Sequence, residues 1–289
     1  MALGTGHFST TDLDEMIPEV WSGRVNDFYR ADLKAATFFE DWSEDFLDGG
    51  DIAHTVNLTE MSANAKTVGS EVTLSSPTET AVDLTINKHN EVSFIIEDAV
   101  ASKVKKSYRA QETYMTNAGY TVAATLEDEI IGLFSGFSNT VGDSTAALTD
   151  ANIRKAISYL TDVPDKDRAF FLHQEVIWNQ VMGIDKFTLV QNTGGADPVL
   201  QGQVGTLYGY PVIATSRLGV TTGHQEGAYA HKSAIAFATA NIAGGQTPST
   251  VRLQADYFQN YLGTLVTADI MFGVIENRDG SGVLIKASS

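Results

Sequence analysis

Alternation of apolar and polar residues with a period of two dominates the segment that follows Gly49-Gly50. This pattern is typical of half-buried β-strands. The residues that recur at every second position are Ile52, His54, Val56 and Leu58, then Val72 and Leu74, then Val82, Leu84 and Ile86. Between the first two runs, residues 59–70 contain few large apolar side chains and could not bury a core of their own. We therefore predict a long protruding loop or hairpin tip there.

A helical period follows, with apolar side chains at steps of three or four residues over most of its length. The stripe consists of Val100, Val104, Tyr108, Met115, Ala118, Val122, Leu126, Ile130 and Phe134. It predicts one amphipathic helix of about 35 residues, roughly 50 Å long. Gly119 lies within it and lowers helix stability by about 1 kcal/mol relative to alanine, which allows a kink or a break.

The N-terminal region divides into a polar arm and a second helical pattern. Residues 1–16 are small and polar, which indicates a flexible arm. Pro18 suits the first turn of a helix, and helical spacing continues to about Asp45, before Gly49-Gly50. The apolar positions are Val20, Trp21, Val25, Phe28, Leu33, Phe38, Phe39 and Trp42. We predict a helix from Pro18 to about Asp45.

The composition changes after Phe137, and residues 138–245 are interpreted as a compact α/β insert. A linker at 138–144 precedes a helix that Thr149 or Asp150 can cap. The further predictions are a buried strand at 169–172, a short helix at 174–182, two short strands within 199–215, and a strand or short helix at 228–240. Beyond the insert, alternation from Leu262, a turn at 277–280 and a return to Lys286 predict a C-terminal hairpin.

Composition and charge limit the possible functions. The chain has 289 residues, 43% apolar and 19% charged, as expected of a folded globular protein. Its net charge is −17, which argues against a surface that binds duplex DNA. Residues 11–51 hold 12 acidic and three basic residues. This block is interpreted either as a solvated, repulsive face or as a surface that lies near nucleic acid without adhering to it. The lack of an 18-residue apolar run and of a signal peptide predicts no membrane span and synthesis in the cytoplasm.

Motifs that carry chemistry are weak or missing. The chain has no cysteine, which excludes thiolate metal sites and cysteine nucleophiles. The six histidines lack metal-site spacing; His173, two residues before Glu175, has the best carboxylate neighbour. His54, on a predicted strand, is interpreted as structural. Phosphate-binding loops and nucleophile elbows are absent too. We therefore expect no catalytic residue, no bound metal and no cofactor.

A basic cluster stands near the start of the long predicted helix, formed by Lys103, Lys105, Lys106 and Arg109. One interpretation is a solvated helix face. The other is an electrostatic seam with the acidic N-terminal block of the same or a neighbouring subunit.

The order of these parts resembles that of the major capsid proteins of tailed bacteriophages, which have the HK97-type fold. Residues 17–21 (IPEVW) resemble the opening of the N-terminal helix in many such proteins. The glycine spacing of 202–212 with the following 216–219, and the ending at 276–285, are similar as well. The resemblance extends from Ile17 to Ala287.

This resemblance implies an α+β, HK97-like capsid fold with five parts. Residues 1–50 would form the N-arm, 51–95 the extended E-loop hairpin and its base strands, and 96–137 the spine helix of the peripheral domain. Residues 138–245 would form the axial domain and 246–289 the C-terminal hairpin of the peripheral domain.

The implied function is that of a structural subunit. It would self-assemble into hexamers and pentamers of an icosahedral phage head around double-stranded DNA, bound without sequence specificity. Its place would be the virion, and the host cytoplasm during assembly. The N-arm would start too early in the chain to leave room for a cleaved scaffolding segment. A separate scaffolding protein, or none, is then implied, with a portal and a decoration protein as further partners.

Inter-subunit contacts are expected at the E-loop tip and at the basic cluster. The residues are Met61, Asn64, Lys66, Val68, Lys103, Lys105, Lys106 and Arg109. Lys66 is also placed where some members form a covalent cross-link. Three alternatives stay open: an encapsulin-like shell that holds a cargo enzyme, an acidic enzyme with a dispersed site, and an adhesin-like virion protein of another fold.

Overall fold

The computed structural model describes residues 33–101, 110–184, 205–221, 224–240 and 251–288. The strands are β1 Glu40–Asp41, β2 Ile52–Leu58, β3 Glu79–Thr85, β4 Lys88–Glu97, β5 Asn139–Gly142, β6 Arg168–His173, β7 Thr206–Leu207, β8 Tyr210–Thr215, β9 Val220–Thr221, β10 His224–His231, β11 Ile235–Thr239, β12 Arg252–Phe258, β13 Gly263–Glu276 and β14 Gly282–Ser288. The α-helices are α1 Ala35–Phe38, α2 Asp98–Ala101, α3 Ala110–Gly132, α4 Asp150–Tyr159 and α5 Gln174–Asn179. The architecture is α+β, as predicted.

The 14-residue strand β13 organises the first sheet. It pairs antiparallel with β4 along one edge, and with β12 and then β11 along the other. The short β1 joins β11 in parallel. Alternate residues of β13, from Val266 to Phe272, are completely buried. Neither β4 nor β12 was predicted as a separate strand, although Val92, Phe94 and Ile96 alternate in β4.

A second sheet has the order β5-β14-β10-β6-β8-β7, with β9 also paired to β10. The predicted C-terminal hairpin is wrong, because β14 lies in this second sheet between β5 and β10, whereas β13 lies in the first. The physical reason is burial on both faces. Val283, Leu284 and Ile285 are consecutive and all buried, which suits a central strand rather than one arm of an exposed hairpin.

The predicted insert at 138–245 therefore needs two corrections. Its sheet gains β14 from the C-terminus, and it loses β11 to the first sheet. Residues 138–144 also contain a strand rather than only a linker, because β5 pairs in parallel with β14 and buries Val141. The predicted helix after Thr149, the strand at 169–172 and the short helix that begins at Gln174 are confirmed as α4, β6 and α5.

Helix α3 confirms the C-terminal part of the predicted long helix. It continues through Gly119 without a break, and the 3-10 turn Leu133–Gly136 follows it. The predicted stripe is buried at Ala118, Val122, Leu126, Ile130 and Phe134. These side chains share a core with both sheets. Residues 102–109 lie outside the described residues, so the predicted connection from α2 to α3 is untested.

The predicted N-terminal helix is wrong over its described end. After Leu33 and Lys34 the chain forms the four-residue α1, then β1, then the 3-10 turn Ser43–Phe46. Tertiary contacts explain the difference: Trp42 N–H donates to Phe237 O at 2.8 Å, and the Phe39 ring stacks on Phe171 at 5.3 Å. Residues 1–32, including the predicted arm and Pro18, lie outside the described residues.

Strands β2 and β3 form a separate antiparallel ribbon, in register from Ile52 opposite Thr85 to Leu58 opposite Glu79. At its base, Leu84 packs with Phe46 and Ala238 in a small core of its own. A further core lies beneath α4 and α5 on the second sheet. Near the other end of the ribbon, Asn57 Nδ2 donates to Asn277 O at 3.1 Å. The tip beyond Leu58 is exposed and extends away from these cores.

Candidate assembly surface

Residues 59–78 connect the two strands of the ribbon and form its tip, which has no helix or strand. Every residue from Leu58 to Ala81 is exposed. Hydrogen bonds within the tip are local; for example, Thr59 N–H donates to Thr78 O at 3.1 Å. The predicted protruding loop is confirmed, and it is longer than predicted because Val72 and Leu74 are exposed and do not form a strand.

The tip brings together the four contact residues predicted there. Met61 and Val68 are exposed apolar side chains. Asn64 Nδ2 donates to Ser75 Oγ at 3.0 Å, and Lys66 Nζ donates to Ser70 O at 2.8 Å. The two arms of the tip enclose an open groove lined by Met61, Ser62, Asn64, Ala65, Lys66, Val72, Thr73, Leu74 and Ser75. The other four predicted residues, Lys103, Lys105, Lys106 and Arg109, lie outside the described residues.

One face of the ribbon presents the apolar side chains of β2 to solvent. Ile52 is 42% exposed, Val56 50% and Leu58 69%, and these three residues form the apolar strip. The intervening Ala53, Thr55 and Asn57 are half-buried. His54 interrupts the strip and is paired to Asp83 Oδ1 at 2.8 Å. Exposed apolar side chains do not stabilise a single chain. A patch of this kind is typical of a surface that another protein covers.

A second exposed apolar surface lies at the end of the first sheet, and sequence reasoning missed it. Ile95, Phe258 and Tyr261 line an open groove with Phe94 and Leu265. The Phe258 and Tyr261 rings stack with centroids 5.5 Å apart. The available signal was the aromatic-rich segment 257–262 (YFQNYL), where Leu262 turns the chain with φ +45°.

Acidic residues surround the base of the ribbon. Residues 40–51 contain six acidic and no basic residues: Glu40, Asp41, Glu44, Asp45, Asp48 and Asp51. The last five of these are exposed. The acidic block predicted from the sequence thus reaches the surface where the ribbon leaves the first sheet.

Buried polar links hold the elements that carry these surfaces. Asp269 on β13 is 2% exposed; Arg252 on β12 donates to it at 2.9 and 2.7 Å, and His89 on β4 contacts it at 3.0 Å. Hydrogen bonds from Arg252 hold the pKa of Asp269 below its usual value, although burial opposes this. Both neighbours of β13 are thereby joined to it by charged side chains.

His173, the histidine with the best carboxylate neighbour in the sequence, has a structural role. His173 Nδ1 accepts the Glu175 N–H at 3.2 Å and caps α5. In the described parts of the chain, no three His, Asp or Glu residues group as metal ligands would. Within the same residues, no helix combines the length and the apolar character that a bilayer span needs.

Solved structures share this architecture over nearly the whole chain. A structure from Mycobacterium phage Che8 has a TM-score of 0.77 at 20% identity, covering 93% of this chain and 96% of that one. The capsid of cyanophage P-SCSP1u has a TM-score of 0.75 at 14% identity, covering 99% and 96%. The mature capsid of bacteriophage PhiM1 has a TM-score of 0.72 at 13% identity, covering 93% and 91%. The fold is that of phage capsid proteins.

The capsid fold here is recognisable from structure and not from overall sequence similarity. No protein-family model matches the chain, and no curated protein sequence does. At identities of 20% or less, these structures share the overall fold of the chain while most of their residues differ from it.

Proposed function

We propose that this chain is a structural subunit that self-assembles into hexamers and pentamers of an icosahedral phage head around double-stranded DNA. The observation that carries the proposal is the capsid fold, shared end to end with solved phage capsid structures. Chains of similar fold also form the capsids of GTA particles.

Burial of the apolar strip against another subunit would favour assembly. Burying one aliphatic side chain contributes about 1.5–3 kcal/mol, and Ile52, Val56 and Leu58 are all available. A ribbon laid on a neighbouring subunit makes a heterologous contact, in which two different surfaces meet. Such contacts close into rings when the rotation allows, and hexamers and pentamers are rings.

The parts of the HK97-type fold are assigned as part of this proposal. The ribbon and its tip would be the E-loop, and α3 the spine helix. The first sheet would belong to the peripheral domain and the second sheet, now including β14, to the axial domain. Residues 1–50 would be the N-arm. Met61, Asn64, Lys66 and Val68 would contact a neighbouring subunit.

The acidic character suits an enclosed genome. A wall of net charge −17 repels phosphates, so packaged DNA would stay mobile and would be held without sequence-specific contacts. The proposed partners are further copies of the chain, a portal, a separate scaffolding protein and a decoration protein. The proposed location is the virion, after assembly in the host cytoplasm.

Negative-stain electron microscopy of the purified chain tests this function, with and without a co-expressed scaffolding protein. We expect closed shells of uniform diameter. Nuclease-protected double-stranded DNA inside particles from infected cells would support a phage head. A protein cargo without DNA would favour an encapsulin-like shell instead. Monomers under both conditions would contradict the proposal.

Charge reversal tests the proposed seam between the basic cluster and the acidic block. We expect Lys105→Glu with Lys106→Glu to reduce shell yield at least tenfold, because like charges would then face each other across the contact. The unassembled chain should keep its melting temperature. The control is Lys155→Glu with Lys166→Glu, which changes the net charge equally at exposed positions. Normal assembly of the first variant would refute the seam.

A further inference from the structure

Exposed apolar side chains are concentrated at two places in the chain. Among the described residues, 17 large apolar side chains are exposed. Seven lie on the ribbon and its tip, between Ile52 and Leu74, and these include the apolar strip. Six more lie at one end of the first sheet, namely Ile95, Leu253, Tyr257, Phe258, Tyr261 and Leu262. Large apolar patches mark contact surfaces, and a shell built from one kind of chain has only its own surfaces to pair.

The second of these patches contains the open groove lined by Ile95, Phe258 and Tyr261, which we call the end groove. Its volume is about 240 Å³. Glu97 lies in register with Phe258, and Asp256 with Ile95, on the two strands that flank β13. Residues in register share one face of a sheet, and both acidic side chains are exposed. The rim of the groove is therefore acidic and repels phosphates, which argues against DNA as its occupant.

The end groove and the base of the ribbon lie at different ends of β13. Leu265, in the groove, pairs with Ile95 near the start of the strand. Gly273, near its other end, lies against the base of the ribbon, because an added Cβ there would overlap Thr85 O. Leu265 and Gly273 are eight positions apart, which corresponds to about 26 Å along a strand.

From that base the ribbon leads away from the end groove. Ile52 lies opposite Thr85 at the base, and Asn57 lies five residues further along the same strand. Asn57 Nδ2 donates to Asn277 O at 3.1 Å, and Asn277 follows the last residue of β13. The strip of one chain therefore cannot reach the end groove of the same chain, whereas the groove is open to the strip of a second copy.

Leu262, beside the end groove, is unfavourable in the single chain for two reasons. Its φ of +45° is in the left-handed region, where leucine is strained and glycine or asparagine is normally found. Its side chain is also 65% exposed. The turn itself is held by backbone groups, because Leu262 N–H donates to Gln259 O at 3.3 Å and Leu262 O accepts the Asp98 N–H at 2.9 Å. Neither bond needs a leucine side chain, so the single chain does not explain this residue.

We propose that the end groove receives the apolar strip of a neighbouring copy, and that the Leu262 side chain packs against that strip. This inference rests on the proposed function, because it names the surface on which the ribbon of the next subunit lies. Each copy offers its strip to one neighbour and its groove to another. The contact is therefore heterologous and can continue around a ring.

Disulfide trapping tests the pairing, and the background is clean because the chain has no cysteine. Ile95→Cys is mixed in equal amounts with Ile52→Cys, Val56→Cys or Leu58→Cys, and each mixture is assembled into shells and exposed to oxidised glutathione. Three strip positions are used because a disulfide needs Cα atoms about 4.4–6.8 Å apart. We expect a dimer that joins position 95 to the strip in at least one mixture, identified by mass spectrometry of the linked peptides.

Thr80→Cys mixed with Ile95→Cys is the control, because Thr80 lies on the opposite face of the ribbon from Val56. This mixture should give no linked dimer. Shells without a link between position 95 and any strip position would overturn the inference and leave the proposed function intact. A link from position 80 as frequent as that from the strip would overturn it too. Failure of the native chain to form shells would contradict the proposed function, and the inference with it.

Leu262→Gly tests the part assigned to the strained leucine. In the unassembled chain, relief of the strain should raise the melting temperature by about 2 °C. Shell yield should fall at least tenfold, because the apolar contact with the strip is lost. Leu262→Asn, which also suits this conformation, should behave in the same way, and Leu262→Met should assemble like the native chain. Normal shell yield in either Leu262→Gly or Leu262→Asn would overturn this part of the proposal.

Discussion

Replacing Glu127 by alanine is expected to lower the free energy of unfolding by about 3–5 kcal/mol. Glu127 lies on α3 and is 1% exposed. Its Oε1 accepts the N–H groups of Lys34 and Ala35 at 2.7 Å, and its Oε2 accepts that of Ala36 at 3.1 Å. Alanine would remove the acceptor of all three N–H groups, and that of Ala35 is completely buried.

Two further variants separate this effect from a general loss of charge. Glu127→Gln keeps an oxygen for Lys34 and Ala35 but turns an NH₂ group towards the Ala36 N–H, so we expect a smaller loss of roughly 1–2 kcal/mol. Glu129, also on α3, forms a half-exposed ion pair with Lys88 on β4, and Glu129→Gln should cost under about 1 kcal/mol. Urea unfolding of the unassembled chain, followed by circular dichroism, measures all three. Equal losses for Glu127→Ala and Glu129→Gln would refute the stabilising role of the hydrogen bonds to Glu127.

Glu127 also shows what sequence reasoning cannot reach. Its three partners lie 91 to 93 residues away along the chain, and a glutamate in an amphipathic helix is normally solvated. The short strand β1 also depends on distant partners, because Glu40 and Asp41 pair with Ala236 and Phe237. No local sequence pattern predicts this strand. The helical spacing that extends to Trp42 was overridden by these distant partners.

Hydrophobic periodicity predicted the structure correctly where an element buries only one of its faces. The stripe from Ala118 to Phe134 predicted the buried face of α3, and the composition of 59–70 predicted a protruding tip. The C-terminal hairpin failed because a turn between two apolar runs does not reveal which sheet the second run joins. Three consecutive apolar residues from Val283 were the available signal for a central strand.

The candidate surface was predictable only in part. The loop composition predicts that Met61, Asn64, Lys66 and Val68 are exposed. The orientation of the apolar strip could not be predicted from the sequence. The alternation in β2 shows that one face is apolar, but it does not show which face the rest of the chain covers. The base of the ribbon decides it: Ala53 packs inward beside Leu84, which turns Val56 outward.

Val56→Asp is expected to abolish shell formation while leaving the folded subunit intact. Val56 is half-exposed in the single chain, so the substitution should change the free energy of unfolding by under about 0.5 kcal/mol. Within the proposed contact the carboxylate would lose its water, which costs several kcal/mol, together with the lost burial of the valine. Since about 1.4 kcal/mol is a tenfold change in affinity, each contact should weaken more than a hundredfold.

Thr80→Asp provides the matched control. Thr80 lies opposite Asn57 and Val56 opposite Ala81, so Thr80 and Val56 are on opposite faces of the ribbon. Both variants add one negative charge at exposed positions on adjoining strands, and only one of them changes the strip. Sedimentation velocity should show shells for Thr80→Asp and only small species for Val56→Asp, with equal melting temperatures for the two unassembled chains. If both variants assemble, the strip is not an assembly contact. If neither assembles, added charge on the ribbon is the cause, and the strip has no special part in it.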